Sequence, residues 1–376
     1  MQSPVIDADS HILEPIDLWQ KYLEPKYQDR AMRIEKDSQG WEQWIVNGKP
    51  YSYRHGIFGD MGAIGQDLKR YFTPGQATYE DGRQLSPGGW DPHERIKVLD
   101  LEGIDTVLLY PSLGITWEGG CDDAEMADAY CRAYNNWLIE WCGTYPDRLI
   151  AIAHISLMEP RAGAEELKRA VKAGAKGAMI RAYPSGDRPF GHPHNDLFWA
   201  TAQDLDIPVA LHIGGAKKLA GSEIADTRMG HNTWWNYVMF MTELQTGITS
   251  IMNGAVLERF PRLKIVLLES GCGWIAYWLD RMDGTFDHTG FSTPLKQHPS
   301  EYFKRQCFIT MDADEELASD MIRRVGAQSF MWAADYPHSD GHMNAARSVR
   351  SVLKDLPQED QDKVLGGNAI QAYRLA

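Results

Sequence analysis

The chain has 376 residues, 43% of them hydrophobic and 24% charged, with a formal net charge of -14. This is long for one ordinary domain but usual for an α/β barrel with insertions. The acidic balance argues against general binding to nucleic acid or anionic membranes, and no apolar run approaches the ~18 residues of a bilayer span.

The N-terminus carries no basic-then-apolar leader pattern. The five cysteines (Cys121, Cys131, Cys142, Cys272 and Cys307) are odd in number and widely spaced, with no CxxC pair. Reduced thiols in a cytoplasmic protein are expected, with Cys131 and Cys142 in the core.

Val5-Ile6-Asp7-Ala8-Asp9-Ser10-His11 reads as a short strand ending in two metal-ligand side chains. Residues two apart in an extended chain share a face, so Asp9 and His11 aim at one point. Residues 15–91 follow, rich in aromatics, glycine and charge, with no sustained period. Such a stretch is too long for an ordinary loop and is read as an excursion over a pocket.

From Pro92 the rhythm becomes regular. Helices are expected over 93–102, 122–143, 159–172, 196–204, 241–259, 273–283, 315–325, 344–354 and 359–372. Between them lie the strands 104–110, 149–155, 178–183, 207–213, 263–268, 307–310 and 330–334. With the first strand this makes eight, and strands alternating with helices imply a parallel sheet with right-handed crossovers. Eight such units are the count of a closed (β/α)8 TIM barrel formed by a single domain over residues 1–376. No glycine-rich phosphate loop follows the first strand, which weakens an open doubly wound sheet.

Active-site groups of such a barrel sit at the C-terminal ends of its strands. Here those ends offer Asp9 and His11, Arg181, His212, Glu269, and Asp335 followed by His338. Buried carboxylates and imidazoles are costly unless paired or metal-bound, so a divalent cation at the mouth accounts for them most economically. The loop after His212 carries His231 and the Trp234-Trp235 pair, and lies where it can line a substrate pocket. His154 reads equally well as a pocket group or a bonded core histidine. His192 and His194 are assigned to the surface or to a supporting role, and Asp340 to orienting His338 or capping the next helix.

Six pieces in order carry a resemblance. They are Ile6-Asp7-Ala8-Asp9-Ser10-His11 with Glu14-Pro15, Pro208-Val209-Ala210-Leu211-His212, Val256-Leu257-Glu258-Arg259-Phe260-Pro261, Leu268-Glu269-Ser270-Gly271-Cys272-Gly273-Trp274, Ala334-Asp335-Tyr336-Pro337-His338, and Leu365-Gly366-Gly367-Asn368-Ala369. With these the chain resembles the amidohydrolase-related family of metal-dependent barrels, in the branch that includes aminocarboxymuconate-semialdehyde decarboxylase. The resemblance implies Asp9, His11, His212 and Asp335 as ligands of one Zn, Mn or Fe ion, with Asp335 or Glu269 moving a proton beside His338. It also implies a homodimer.

The chain departs from the family pattern at three places. Arg181 stands where dinuclear hydrolases of the superfamily carry a carboxylated lysine, and its planar fork suits a substrate carboxylate. Glu269 stands where decarboxylases of the branch typically carry histidine, and the first motif is Asp-x-His rather than Glu-x-His or His-x-His. The expected activity is a divalent-metal-dependent hydrolase or non-oxidative decarboxylase acting on a small carboxylated or aromatic substrate. With Glu269 as a further ligand, the three carboxylates and up to three imidazoles could instead hold two ions, as in a dinuclear iron or iron/manganese monooxygenase.

Overall fold

In chain order, β1 (Ile6–His11) is followed by three short strands, β2 (Arg33–Lys36), β3 (Glu42–Val46) and β4 (Lys49–Tyr51). Then come β5 (Thr106–Tyr110), β6 (Leu149–His154), β7 (Gly177–Arg181), β8 (Val209–His212), β9 (Ile265–Leu268), β10 (Cys307–Asp312) and β11 (Phe330–Ala333). The computed structural model describes residues 3–52, 54–184, 188–214 and 233–375. Within these, β1 and β5 to β11 form one parallel sheet in that order, and β2, β3 and β4 form a small antiparallel sheet.

The large sheet closes into a barrel between its first and last strands. The amide of Asp335 donates to the carbonyl of Asp9 at 3.1 Å, and that of His11 donates to the carbonyl of Tyr336 at 2.7 Å. Strands such as β5 (Thr-Val-Leu-Leu-Tyr) and β9 (Ile-Val-Leu-Leu) are apolar throughout because both faces are covered. Alternate residues, among them Ile6, Ala8, Leu108, Tyr110, Ile150 and Ile152, point inward and pack as one buried cluster. Ala369, Ala372 and Tyr373 of the last helix join that cluster. The Tyr373 ring lies against Gly177 at the start of β7, so this helix plugs the end of the barrel opposite the ligand-bearing strand ends.

Helix boundaries follow local chemistry. Asp91 and Asp123 cap the helices Pro92–Glu102 and Ala124–Cys142 through their side chains, and Pro160 opens the helix that ends at Ala173. The helix expected over 241–259 is instead Thr233–Asn253, followed by a separate turn, Val256–Arg259. A close backbone approach accompanies the break: a Cβ on Gly254 would lie 2.2 Å from the Cα of Gly191. Ala255 then takes a left-handed conformation.

Residues 15–91 hold the antiparallel sheet, short helices such as Leu18–Tyr22 and Tyr79–Leu85, and 3-10 turns. The β3–β4 hairpin turns on Asn47-Gly48, both at positive φ, which is the signature of a type I′ turn. Trp19 and Trp44 meet edge to face and are fully buried, so this segment shares the main core. The helix Pro299–Gln306 was not expected from the sequence.

Candidate metal centre

Asp9 and His11 end β1, where the register with β5 shifts between Asp7 and Ser10. His212 ends β8. Glu269 and Asp335 follow β9 and β11, both with left-handed backbones at φ 55 and φ 52. Such a conformation is uncommon for a side-chain-bearing residue and turns each carboxylate at the barrel mouth.

The five groups meet. His11 Nε2 lies 3.1 Å from Asp335 Oδ1, 3.7 Å from Asp9 Oδ1 and 3.9 Å from Glu269 Oε2. His212 Nε2 lies 3.1 Å from Glu269 Oε2 and 3.6 Å from Asp9 Oδ1. Two overlapping ligand groups result: Asp9, His11, His212 and Glu269; and His11, Glu269, Asp335 and His338. All five of the metal ligands expected from the sequence therefore converge, and His338 joins them.

The hydrogen-bond pattern shows what the cluster suits. His11 Nδ1 contacts the Pro111 carbonyl at 2.8 Å, and His212 Nδ1 contacts the Ile213 carbonyl at 2.8 Å. A carbonyl only accepts, so each ring carries a proton on Nδ1 and points Nε2 at the centre; burial works against a charge on His212, but the adjacent Asp9 carboxylate raises it, a position a bound cation would compete for. Among the described residues, both carboxylate oxygens of Asp9, His212 Nε2 and Glu269 Oε2 are buried without a hydrogen-bond partner, while His11 Nε2 and Asp335 Oδ1 have only each other and the neighbouring cluster atoms. Leaving one such group unsatisfied costs about 1–3 kcal/mol, and a whole domain is stable by only ~5–15 kcal/mol. Two overlapping sets of carboxylate and imidazole atoms, buried and short of partners, fit a divalent cation.

The electrostatics agree. Burial, and then the charge of His338, lowers His11 to about 4, which keeps it a neutral ligand. Glu269 is pushed well up by burial and by the neighbouring Asp335 charge. Asp335 is held low: burial opposes its charge, but His338 and His11 outweigh it. A bound cation would offset these repulsions.

Asp335 and His338 form a dyad, with His338 Nδ1 3.0 Å from Asp335 Oδ1 and Nε2 2.8 Å from Ser112 Oγ. The ring also stacks on His11, with centroids 3.9 Å apart. Ser112 is fixed in turn by Glu14, a fully buried carboxylate that accepts from the amides of Ser112, Leu113 and Gly114 at 2.9–3.0 Å. Glu315 holds the loop after Glu269 in a similar way, accepting from the amides of Cys272 and Gly273.

The pocket above the cluster is lined by Glu269, His338, Ser339 and Asp340, by Ser112, Ile115 and Thr116, and by Ile213, Gly214, Tyr237 and Phe240. The excursion supplies Arg54, Asp60 and Met61. Arg54 forms a salt bridge with the buried Asp60. Arg181, expected to face a substrate, lies 3.6 Å from the buried Glu118 and reaches the Pro184 carbonyl. His154 is held by the same Glu118 at 2.9 Å and is a core histidine. Trp234 is 69% exposed and does not line this pocket; Tyr237 and Phe240 occupy the wall on its helix. His231 lies outside the described residues. His192 and His194 are exposed, and all five cysteines are buried and unpaired.

Sequence reasoning did not single out Arg54, Asp60, Arg95, Ser112, Glu118 or Glu243. Glu14 was within a quoted motif without a role. Glu243 is fully buried, accepts from the Gly214 amide at 3.0 Å, and is pushed up to about 8 by burial.

A closed parallel barrel with a carboxylate–histidine centre at its mouth defines a class, and comparison with known proteins agrees. A family model described as Amidohydrolase matches residues 6–375, and the chain belongs to that family. It is a metal-dependent enzyme. A gamma-resorcylate decarboxylase from Polaromonas sp. is 26% identical over 296 residues, covering 75% of this chain and 86% of that protein. The crystal structure of an amidohydrolase from Mycobacterium avium subsp. paratuberculosis superimposes with a TM-score of 0.82 at 23% identity, covering 99% of this chain and 100% of that one. That of a Polaromonas dihydroxybenzoic acid decarboxylase, with bound manganese and the inhibitor 2-nitroresorcinol, gives 0.71 at 19% identity, covering 100% and 98%.

Proposed function

We propose that this enzyme is a manganese-dependent, non-oxidative decarboxylase of a small hydroxylated aromatic carboxylate. The observation that carries the reading is the joint presence of a buried carboxylate–imidazole cluster and, above it, a pocket lined by Tyr237, Phe240, Ile115 and Ile213 together with Arg54, which is paired with Asp60. The decarboxylases among the relatives support the reaction, and the manganese in one of them supports the metal. They lend no support to the oxygen-activating alternative.

Asp9, His11, His212, Asp335 and Glu269 would hold the ion. When bound, it supplies a positive charge that polarises a substrate oxygen. In the reaction the carbon–carboxylate bond breaks, its electron pair stays on the ring carbon, that carbon takes a proton, and carbon dioxide leaves. Glu269, pushed up by burial, is suited to deliver that proton, and Asp335, held ionised beside His338, to accept one in turn. Arg54 orients the substrate carboxylate or phenolate, a task the sequence suggested for Arg181, while Tyr237 and Phe240 pack on the ring. Residues 15–91 act as a lid that supplies part of the pocket. The same reading has the enzyme acting as a cytoplasmic homodimer, and the buried unpaired thiols suit a reducing compartment.

The test is a panel of hydroxybenzoates incubated with manganese-loaded protein, with carbon dioxide release measured. Release from at least one, abolished by chelation and by Asp335→Asn, supports the reading. Hydrolysis of an ester or amide by the same metal-loaded protein, without any carbon dioxide, would overturn it.

A further inference from the structure

Behind the metal centre, on the far side of β1, lies a second buried polar group. Arg95, on the helix Pro92–Glu102, is completely buried. Its Nη2 donates to the His11 carbonyl at 2.6 Å and to Ser10 Oγ at 3.2 Å. Ser10 Oγ donates to the Tyr336 carbonyl at 3.0 Å, the same carbonyl that accepts from the His11 amide. The guanidinium also sits 4.6 Å above the Tyr336 ring. One side chain thus ties the backbone of His11 to the residue after Asp335.

Asp7 completes the arrangement. It is buried, and its Oδ1 accepts from the Ala334 amide at 3.0 Å and from the Asp9 amide at 3.3 Å. It therefore bridges β1 and β11 across the barrel seam, next to the point where β1 slips register. Asp7, Ser10, Arg95, Ala334 and Tyr336 line one small cavity; burial pushes Asp7 up to about 7, and the nearby Arg95 opposes that rise without a direct salt bridge to it. Neither Asp7 nor Arg95 is among the residues facing the metal or lining the substrate pocket.

We propose that Arg95 and Asp7 form a positioning clamp that sets the spacing of Asp9, His11 and Asp335, and with it the affinity and geometry of the metal site. A fold needing only a filled core at this place would be served by apolar side chains, because buried ionisable groups are a poor source of net stability. The clamp instead places hydrogen bonds on the backbone of two ligand positions, Asp9 and His11, and on that of Ala334, the residue before Asp335. Groups behind metal ligands tune affinity by about tenfold to a hundredfold. The inference rests on the metal centre, not on the identity of the substrate, and its test needs no substrate.

The experiment is titration of the full metal-free chain with Mn2+ alone, read by calorimetry and by the electron paramagnetic resonance of the bound ion. Arg95→Met should weaken manganese binding by about tenfold or more and broaden the resonance, with Arg95→Lys recovering part of the loss. Arg95→Met removes the cation that faces Asp7, so the double variant Asp7→Asn/Arg95→Met, which removes both ionisable groups, carries the test if the single one fails to fold. A folded variant that binds manganese within about twofold of the wild type, on the same scale of effect, would overturn the clamp. Failure of both variants to fold would overturn it too, by showing the pair to be a scaffold element. Wild-type protein that binds no manganese would overturn the metal centre itself.

Discussion

The two halves of the donor set are built differently. On the β1/β11 side, Asp9, His11, Asp335 and His338 rest on three buried polar groupings: Asp7 on the amides of Asp9 and Ala334, Arg95 with Ser10, and Ser112 with Glu14. On the β8/β9 side, His212 is oriented by the carbonyl of its own neighbour, Ile213, and Glu269 by a left-handed backbone and a loop that Glu315 holds. The first half leans mainly on side chains far apart in sequence, and the second combines local backbone geometry with the carboxylates of Glu315 and Glu243. The β1/β11 half is therefore the preorganised part, and the β8/β9 half carries the groups with fewer fixed partners.

Breaking the donor set itself should have the largest effect. His212→Ala or Asp335→Asn should each lower carbon dioxide release by about a thousandfold or more, since a metal ligand or the proton-moving group is lost, and steady-state kinetics will read it. Equal loss from both sides would show that both halves hold the same ion.

Next comes the support of the preorganised half. Glu14→Ala strands three buried amides and should cost about 3 kcal/mol or more in urea unfolding of the metal-free chain. Glu315→Ala, on the other side, frees amides of a partly exposed loop and should cost about 1–2 kcal/mol. A reversed order would undo the contrast between the halves.

A smaller effect is expected in pH dependence. The folded chain raises Glu243 from 4.5 to about 8, so it holds this proton more tightly than the unfolded chain. The stability it contributes is fully present below pH 4.5 and lost as the pH rises through about 8. Tm of the metal-free protein should therefore fall across that window, and the fall should shrink in Glu243→Gln. An unchanged slope in the variant would remove Glu243 as its source.

The division between the halves also marks what could be read from the chain. Asp9, His11, His212, Glu269 and Asp335 were legible because each closes an apolar strand, and a barrel puts strand ends together. The network behind them was not. Glu14 meets Ser112 across 98 positions and Arg95 meets Ser10 across 85, so these bonds leave no local period. Arg54 and Asp60 lie in a segment whose only strong signals were short, the Asn47-Gly48 turn and the Thr78–Asp81 capping box. Arg181 closes its strand as expected, and its side chain lies 3.6 Å from Glu118, on the loop after β5, a partner distant in sequence that no local pattern announces.

The most direct test of the account is the metal content of the purified protein after exposure to manganese and removal of the excess. About one Mn2+ per chain, falling to background in His212→Ala while the variant stays folded, is the predicted result for an N/O ligand set of this kind. A wild-type chain with no bound metal, or a His212→Ala chain that keeps its full complement, would contradict it.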